Sequence, residues 1–191
     1  MIPLNLTNIL GYTFLALLMI YGIYTMIVIY QEKSHFKDDS KSYNLLYYRL
    51  FVPYWWTLVK QDTNFLEFAR TDTRYDWYGK YILKKLPPLP LPELLENYLQ
   101  EKNIILDNDD RKITHTEHGL VKTKLNENIE CLYRVEGTGT EAETERVYFD
   151  VCFLKDKRHE EILICESRSS VLNGSVEGPF FEETLKFIED L

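Results

Sequence analysis

Three constellations in the chain use residue types that carry chemistry in other proteins. The first is His115-Thr116-Glu117-His118, two imidazoles and a carboxylate close together. Zinc pairs on a helix sit four apart on one face, whereas these imidazoles are three apart. On a strand, residues three apart point to opposite sides. A turn at His118-Gly119 would let them converge, but a third ligand has to come from elsewhere. The pattern reads as solvent-exposed turn histidines and no metal site. The second is the thiol set Cys131, Cys152 and Cys165, each in a strand-like apolar run and none in a Cys-x-x-Cys pair. They read as small apolar fillers, brought near one another if their three strands are adjacent. The third is Gly137-x-Gly139-x-x-Ala142, which matches the pattern of a dinucleotide fingerprint. Its context argues against nucleotide: a strand-like segment follows rather than a helix, and Glu136, Glu141, Glu143 and Glu145 repel a pyrophosphate. It reads as a flexible hairpin loop.

Other chemistry lacks its motif. There is no Gly-x-Ser-x-Gly elbow and no P-loop, so nothing supports a hydrolase or kinase. Asp107-Asn108-Asp109-Asp110 lacks the glycine and distal glutamate of a calcium loop. We therefore expect no catalytic residues, no cofactor and no metal: a protein that is not an enzyme.

The elements around these residues explain more. None of the 52 Asp, Glu, Lys and Arg residues occurs before Glu32. Within that stretch, Ile9–Tyr30 is 22 residues with no charge and no proline. At about 1.5 Å per residue it is roughly 33 Å long, enough to cross an apolar layer of about 30 Å. The run ends in Val28-Ile29-Tyr30-Gln31-Glu32-Lys33, without the small-x-small site of a cleaved signal, so it reads as a retained span. Residues 1–8 are then a short external tail. Lys33, Lys37, Lys41 and Arg49 follow the span and none precedes it. The positive-inside rule places the N-terminus outside and the rest on the cytoplasmic or matrix side of a bacterial or organellar inner membrane. Unpaired thiols fit such a reducing compartment.

Residues 31–60 read as a polar connector and an aromatic juxtamembrane segment. Tyr43–Val59 holds seven aromatics and one charge, Arg49. A helix here would lie on the membrane or against a neighbouring subunit; the other reading is the first core element of the following domain. Residues 32–60 carry a net +2 and residues 61–191 a net −10. An acidic body without clustered Lys/Arg argues against nucleic acid.

Residues 61–191 read as an α+β domain: an antiparallel β-sheet with flanking helices. Expected strands are 64–70 and 75–83 as a hairpin, 112–117 with 120–125, 129–136 with 146–154 across a loop at 137–145, and 161–168. Residues 86–92 hold four of the seven prolines and read as an extended connector rather than an SH3-type ligand. A helix over 93–102 buries Leu94, Leu95, Tyr98 and Leu99; a glycine loop at 172–178 leads to a last helix starting at Pro179. Tyr75, Trp77, Tyr78 and Tyr81 put aromatics on both faces of one strand, as a central strand or a partner-covered one requires.

The function these features suggest is an accessory, assembly or scaffold subunit of a larger membrane protein complex. Tyr21 and Tyr24 on the span, with Tyr47, Tyr48, Trp55 and Trp56 beyond it, would contact membrane lipids and other subunits. The alternative is a membrane-anchored domain that binds a lipid or small molecule, which would require a cavity between the sheet and the last helix.

Overall fold

The computed structural model describes residues 6–34, 36–70, 76–107, 112–115 and 126–191. The chain divides into two compact units, Met1–Asp39 and Ser40–Leu191. The first contains helix α1, Leu6–Ser34. Within it, Ile9–Val28 is apolar enough to cross a membrane and none of it is buried. The hydroxyls of two threonines are satisfied inside the helix: Thr13 Oγ1 donates to Ile9 O at 2.9 Å and Thr25 Oγ1 to Gly22 O at 2.8 Å.

The second unit is the α+β domain. Its strands are β1 (Ser40–Leu45), β2 (Tyr48–Pro53), β3 (Thr57–Asp62), β4 (Phe65–Ala69), β5 (Trp77–Lys85), β6 (Ile104–Leu106), β7 (Lys112–His115), β8 (Ile129–Glu141), β9 (Glu145–Asp156), β10 (Glu161–Ser170) and β11 (Glu189–Asp190). Its helices are α2 (Leu91–Glu101) and α3 (Val171–Lys186). Eight strands form one sheet in the order β3-β4-β5-β10-β9-β8-β6, with β7 also on β8; β1-β2-β11 form a second. Each pairing is antiparallel.

Alternation on the strands builds two cores. One face of the large sheet carries Leu66, Phe68, Trp77, Tyr81, Cys152 and Cys165, and it packs against Leu50 and Val52 of β2 and Phe181 and Leu185 of α3. The other carries Val135, Phe149, Val151, Phe153 and Ile164, and α2 covers it with Leu94, Leu95, Tyr98 and Leu99. Because β9 and β10 are covered on both sides, they are apolar on both sides, which explains runs such as Val147–Leu154. Strand β5 lies between β4 and β10 with Trp77 and Tyr81 buried. The aromatics of this segment therefore belong to a central strand; Tyr75 lies outside the described residues.

The meander β8-β9-β10, the β4-β5 hairpin and the buried face of α2 match the expected pattern, with shifted ends. The α2 helix begins two residues earlier, with Pro92 in its first turn, and Asn103 follows it at φ 54°, the left-handed position that ends helices. The β8-β9 loop is the short turn 142–144 rather than 137–145. Residues 40–60, which composition groups with the membrane-proximal segment, form β1, β2 and most of β3 of the domain. Helix α3 begins at Val171, so 172–178 is helical and Pro179 lies inside the helix rather than at its start. The helix tolerates Gly174 because that glycine sits on Tyr148: an added Cβ would be 2.3 Å from the ring. The expected strand at 120–125 lies outside the described residues.

Candidate functional site

The β1-β2 hairpin places its aromatics at two separate ends. Tyr47 lies in the turn between the strands, and Tyr54 and Trp55 lie beyond the last residue of β2. Six strand residues at about 3.3 Å each keep the two groups roughly 20 Å apart.

At the turn end, Asp156 is the hub. Its carboxylate is buried and accepts from the Tyr48 hydroxyl and from Arg158, and His159 Nδ1 lies 3.0 Å away. Burial alone would raise its pKa, but the hydrogen bonds from Arg158, Tyr48 and His159 outweigh it and hold the carboxyl well below the usual range. The Tyr47 hydroxyl donates to Glu161, and its ring stacks on His159 with centroids 4.4 Å apart. Burial and the neighbouring Glu161 push the Tyr47 pKa up to about 12. Arg158 also reaches Asp190 at 2.7 Å, tying the chain end to this cluster. Each of these groups has a partner, so the arrangement fastens β2, the β9-β10 turn and the C-terminus together.

At the other end, Glu177 of α3 is the hub. It is fully buried and accepts Trp56 Nε1 at 2.8 Å, with Trp55 Nε1 at 3.4 Å, and it pairs with Arg70. The Trp56 ring packs on Trp77 at a tilt of 30°, centroids 4.1 Å apart. The Trp55 ring meets Phe180 edge-on at 4.8 Å, and Tyr54 meets Trp55 edge-on at 5.0 Å. Tyr54 is 60% exposed.

Of the six residues expected at an interface, two lie inside the domain instead. Tyr48 and Trp56 are core residues, because successive residues leaving a strand face opposite ways and the second of each aromatic pair points inward. Tyr47 and Trp55 are half-buried. Tyr21 and Tyr24 are 66% and 63% exposed on α1. Glu177, Tyr54 and the apolar N-terminal turns of α3 were not anticipated. The spacing Leu172, Val176, Phe180 signals one helical face, but Asn173-Gly174 and Gly178-Pro179 hide it.

The three chemical constellations resolve differently. Cys131 and Cys152 are buried with sulfurs 3.5 Å apart, and Cys165 lies across the strands from Cys152. Contact with Cys152 draws the Cys131 pKa down despite its burial, while the Cys152 and Cys165 thiols are pushed up. Gly139 is in β8, where an added Cβ would be 2.6 Å from the Ile105 carbonyl oxygen, so this glycine admits β6 rather than a phosphate. Glu141 and Glu145 pair with Arg168 at 2.5 and 2.8 Å. His115 is in β7 and His118 lies outside the described residues. Among the described residues, no group of three His, Cys, Asp or Glu side chains is arranged to hold a metal. The space between the large sheet and α3 is filled by Tyr81, Phe181, Leu185 and Ile188.

No family model matches the sequence, and the search of curated proteins found no match. Solved structures with a related arrangement include the solution structure of cyanobacterial PsbP (CyanoP) from Synechocystis sp. PCC 6803. It is 13% identical with a TM-score of 0.48, covering 80% of this chain and 94% of that one. Another is a Pseudomonas aeruginosa protein of unknown function described as a putative regulator, 11% identical with a TM-score of 0.42, covering 78% of this chain and 94% of that one. Likeness at this level implies nothing about activity or partners.

Proposed function

We propose that the chain is a single-pass membrane protein whose domain serves as a non-catalytic accessory, assembly or scaffold subunit of a larger membrane complex. One observation carries the reading: Ile9–Val28 of α1 is long and uncharged, and none of it is buried. A helix apolar all round needs an apolar surrounding, and lipid or neighbouring helices provide one. Tyr21 and Tyr24, three apart and so on one face, are the proposed contacts with a partner helix. Lys33, Lys37, Lys41 and Arg49 favour an N-terminus outside and a domain on the cytoplasmic or matrix side. The non-catalytic part is supported by how the buried carboxylates are used. Asp156, Glu177, Glu166 and Asp150 each hold a cation: Arg158, Arg70, Lys102 and Arg134.

The test is extraction in mild detergent, sizing on a native gel and mass spectrometry of whatever co-migrates. Migration within a large assembly of fixed composition is the expected result. A lone 22.8 kDa species or a simple homodimer overturns the subunit reading.

A further inference from the structure

We propose that the end of the domain where the chain enters it is a bilayer-contacting surface. It is built from Tyr54, Trp55, Phe180 and the first two turns of α3, and its occupant is the interfacial layer of the membrane that holds α1. The inference rests on the reading of α1 as a span.

The strand register locates the surface. Ser40, the first residue of the domain, pairs with Pro53, whose neighbour is Tyr54. The entry point of the chain and the exposed aromatic are therefore side by side. Six steps of chain separate Ser34, the last residue of α1, from Ser40; fully extended they cover at most about 20 Å. The apolar run of α1 ends at Val28, about 9 Å before Ser34 along the helix, so the layer that holds it is within about 30 Å of the Ser40–Pro53 pair.

The chemistry of the surface suits the boundary between headgroups and acyl chains. Leu172, Val176 and Phe180 recur every fourth residue of α3 and share one face. Leu172 is 83% exposed and Val176 41%. Phe180 carries this row to Trp55, and Trp55 carries it to Tyr54, through the edge-on ring contacts described above. The indole nitrogen of Trp55 turns inward to Glu177, which leaves apolar ring in the row, while Tyr54 combines an apolar body with a polar tip, the character of a headgroup-layer residue. Lys37 and Lys41 are exposed on either side of the entry point with exposed Asp38 and Asp39 between them, so the entry segment is locally neutral and the fit to the layer rests on its apolar and aromatic side chains. The acidic Asp76, Glu141 and Glu145 at the same end of the sheet converge on Arg168, which offsets one of their three charges. Other exposed large apolar side chains of the described domain form no comparable row: Val59 and Ile105 lie on edge strands and Leu89 in the connector, while Leu46 and Leu191 both adjoin Tyr47 at the turn end. Single exposures of that kind are ordinary, whereas a contiguous row marks a contact.

The test uses the full chain. The three native thiols are buried, so a thiol-reactive fluorophore goes to a cysteine introduced at the surface. Leu172→Cys reports on the proposed surface, and Lys157→Cys on the opposite end of the sheet. Each labelled protein is reconstituted into phosphatidylcholine–phosphatidylglycerol vesicles that carry a nitroxide-headgroup lipid, then washed with alkaline carbonate. The expected result is strong quenching and a blue shift at position 172, with position 157 unchanged. Protein retained after the wash but equally unquenched at both positions overturns this proposal and leaves the anchor intact. Loss of the protein in the wash overturns the anchor, and this proposal with it. A position 172 label that is shielded without quenching, increasingly at higher protein density, overturns the proposal in favour of a second copy of the chain.

Discussion

The two ends of the β1-β2 hairpin are built from the same parts and finish differently. Each has an adjacent aromatic pair, Tyr47-Tyr48 and Trp55-Trp56, with the first residue half-buried and the second in the core. Each pair gives its polar atoms to buried or half-buried carboxylates, Asp156 and Glu161 at one end and Glu177 at the other. The turn end is then ringed by Lys157, Arg158, His159, Glu160 and Asp190. The entry end instead continues into Tyr54, Val176 and Leu172. An aromatic-rich segment is thus two different things: a set of core side chains, and a residue or two left over at the surface whose setting decides their use.

The largest effect expected from breaking this symmetry is at Trp56. Trp56→Ala empties a fully buried site against Trp77 and removes a donor from Glu177, at a cost of about 3–5 kcal/mol. Trp55→Ala should cost only about 1 kcal/mol, because its ring is partly exposed. Urea unfolding of the detergent-solubilised chain, followed by far-UV circular dichroism, measures both. Equal losses would show that the two indoles are not divided between core and surface.

At the turn end the same division is smaller. Tyr48→Phe takes a donor from a buried carboxylate, for about 1–3 kcal/mol. Tyr47→Phe loses a half-exposed bond to Glu161, for about 0.5–1 kcal/mol. The midpoint difference between the two variants checks the order.

Acid sharpens the contrast further. The Asp156 carboxyl has its folded pKa below its ordinary value, so its contribution is fully present above the unfolded pKa of about 3.9 and is lost as pH falls through the folded value. Stability should therefore hold, as far as this group is concerned, down to about pH 4 and decline below it. Asp156→Asn should be less stable at neutral pH and flatter below pH 4 than the unaltered chain. A parallel decline in the two proteins would remove Asp156 as a source.

The smallest effect is at Tyr54. Tyr54→Ser should change unfolding stability by no more than about 0.5 kcal/mol, as exposed positions do. A large loss would mean that Tyr54 belongs to the core, and that the entry end presents no aromatic surface.

The large sheet was legible in the sequence because its strands are apolar runs bounded by polar turns, but its faces were not: the spacing puts Ile129, Cys131, Tyr133 and Val135 on one side of β8, whereas a bulge between Cys131 and Tyr133 leaves the first two in the core under α3 and the last two in the core under α2. Helix α2 was legible because four apolar residues share one face behind a proline start. Where reading failed, tertiary contacts outweighed local preference. Asn173-Gly174 and Gly178-Pro179 are turn formers, yet they lie in α3, where Gly174 lets the helix approach Tyr148. Residues 43–59 have the aromatic density of a membrane-surface segment, and nothing local tells that Leu45, Leu50 and Val52 have a sheet to pack on. Candidate contacts suffered most, because a tryptophan in a core and one at an interface are the same residue type until a neighbour such as Glu177 is known.

The Cys131 and Cys152 sulfurs, 3.5 Å apart in the interior, have one more consequence. A disulfide needs them at about 2.05 Å, so little movement separates the thiol pair from a bridge. Thiol–disulfide exchange acts on such a pair while the strands are still open to solvent, and folding then seals the outcome. The pair is in effect a recorder written once, at biogenesis. Two missing hydrogens in the mass of alkylation-trapped protein would say that the domain matured in an oxidising space. Two thiols that react only after unfolding would say that it never left a reducing one.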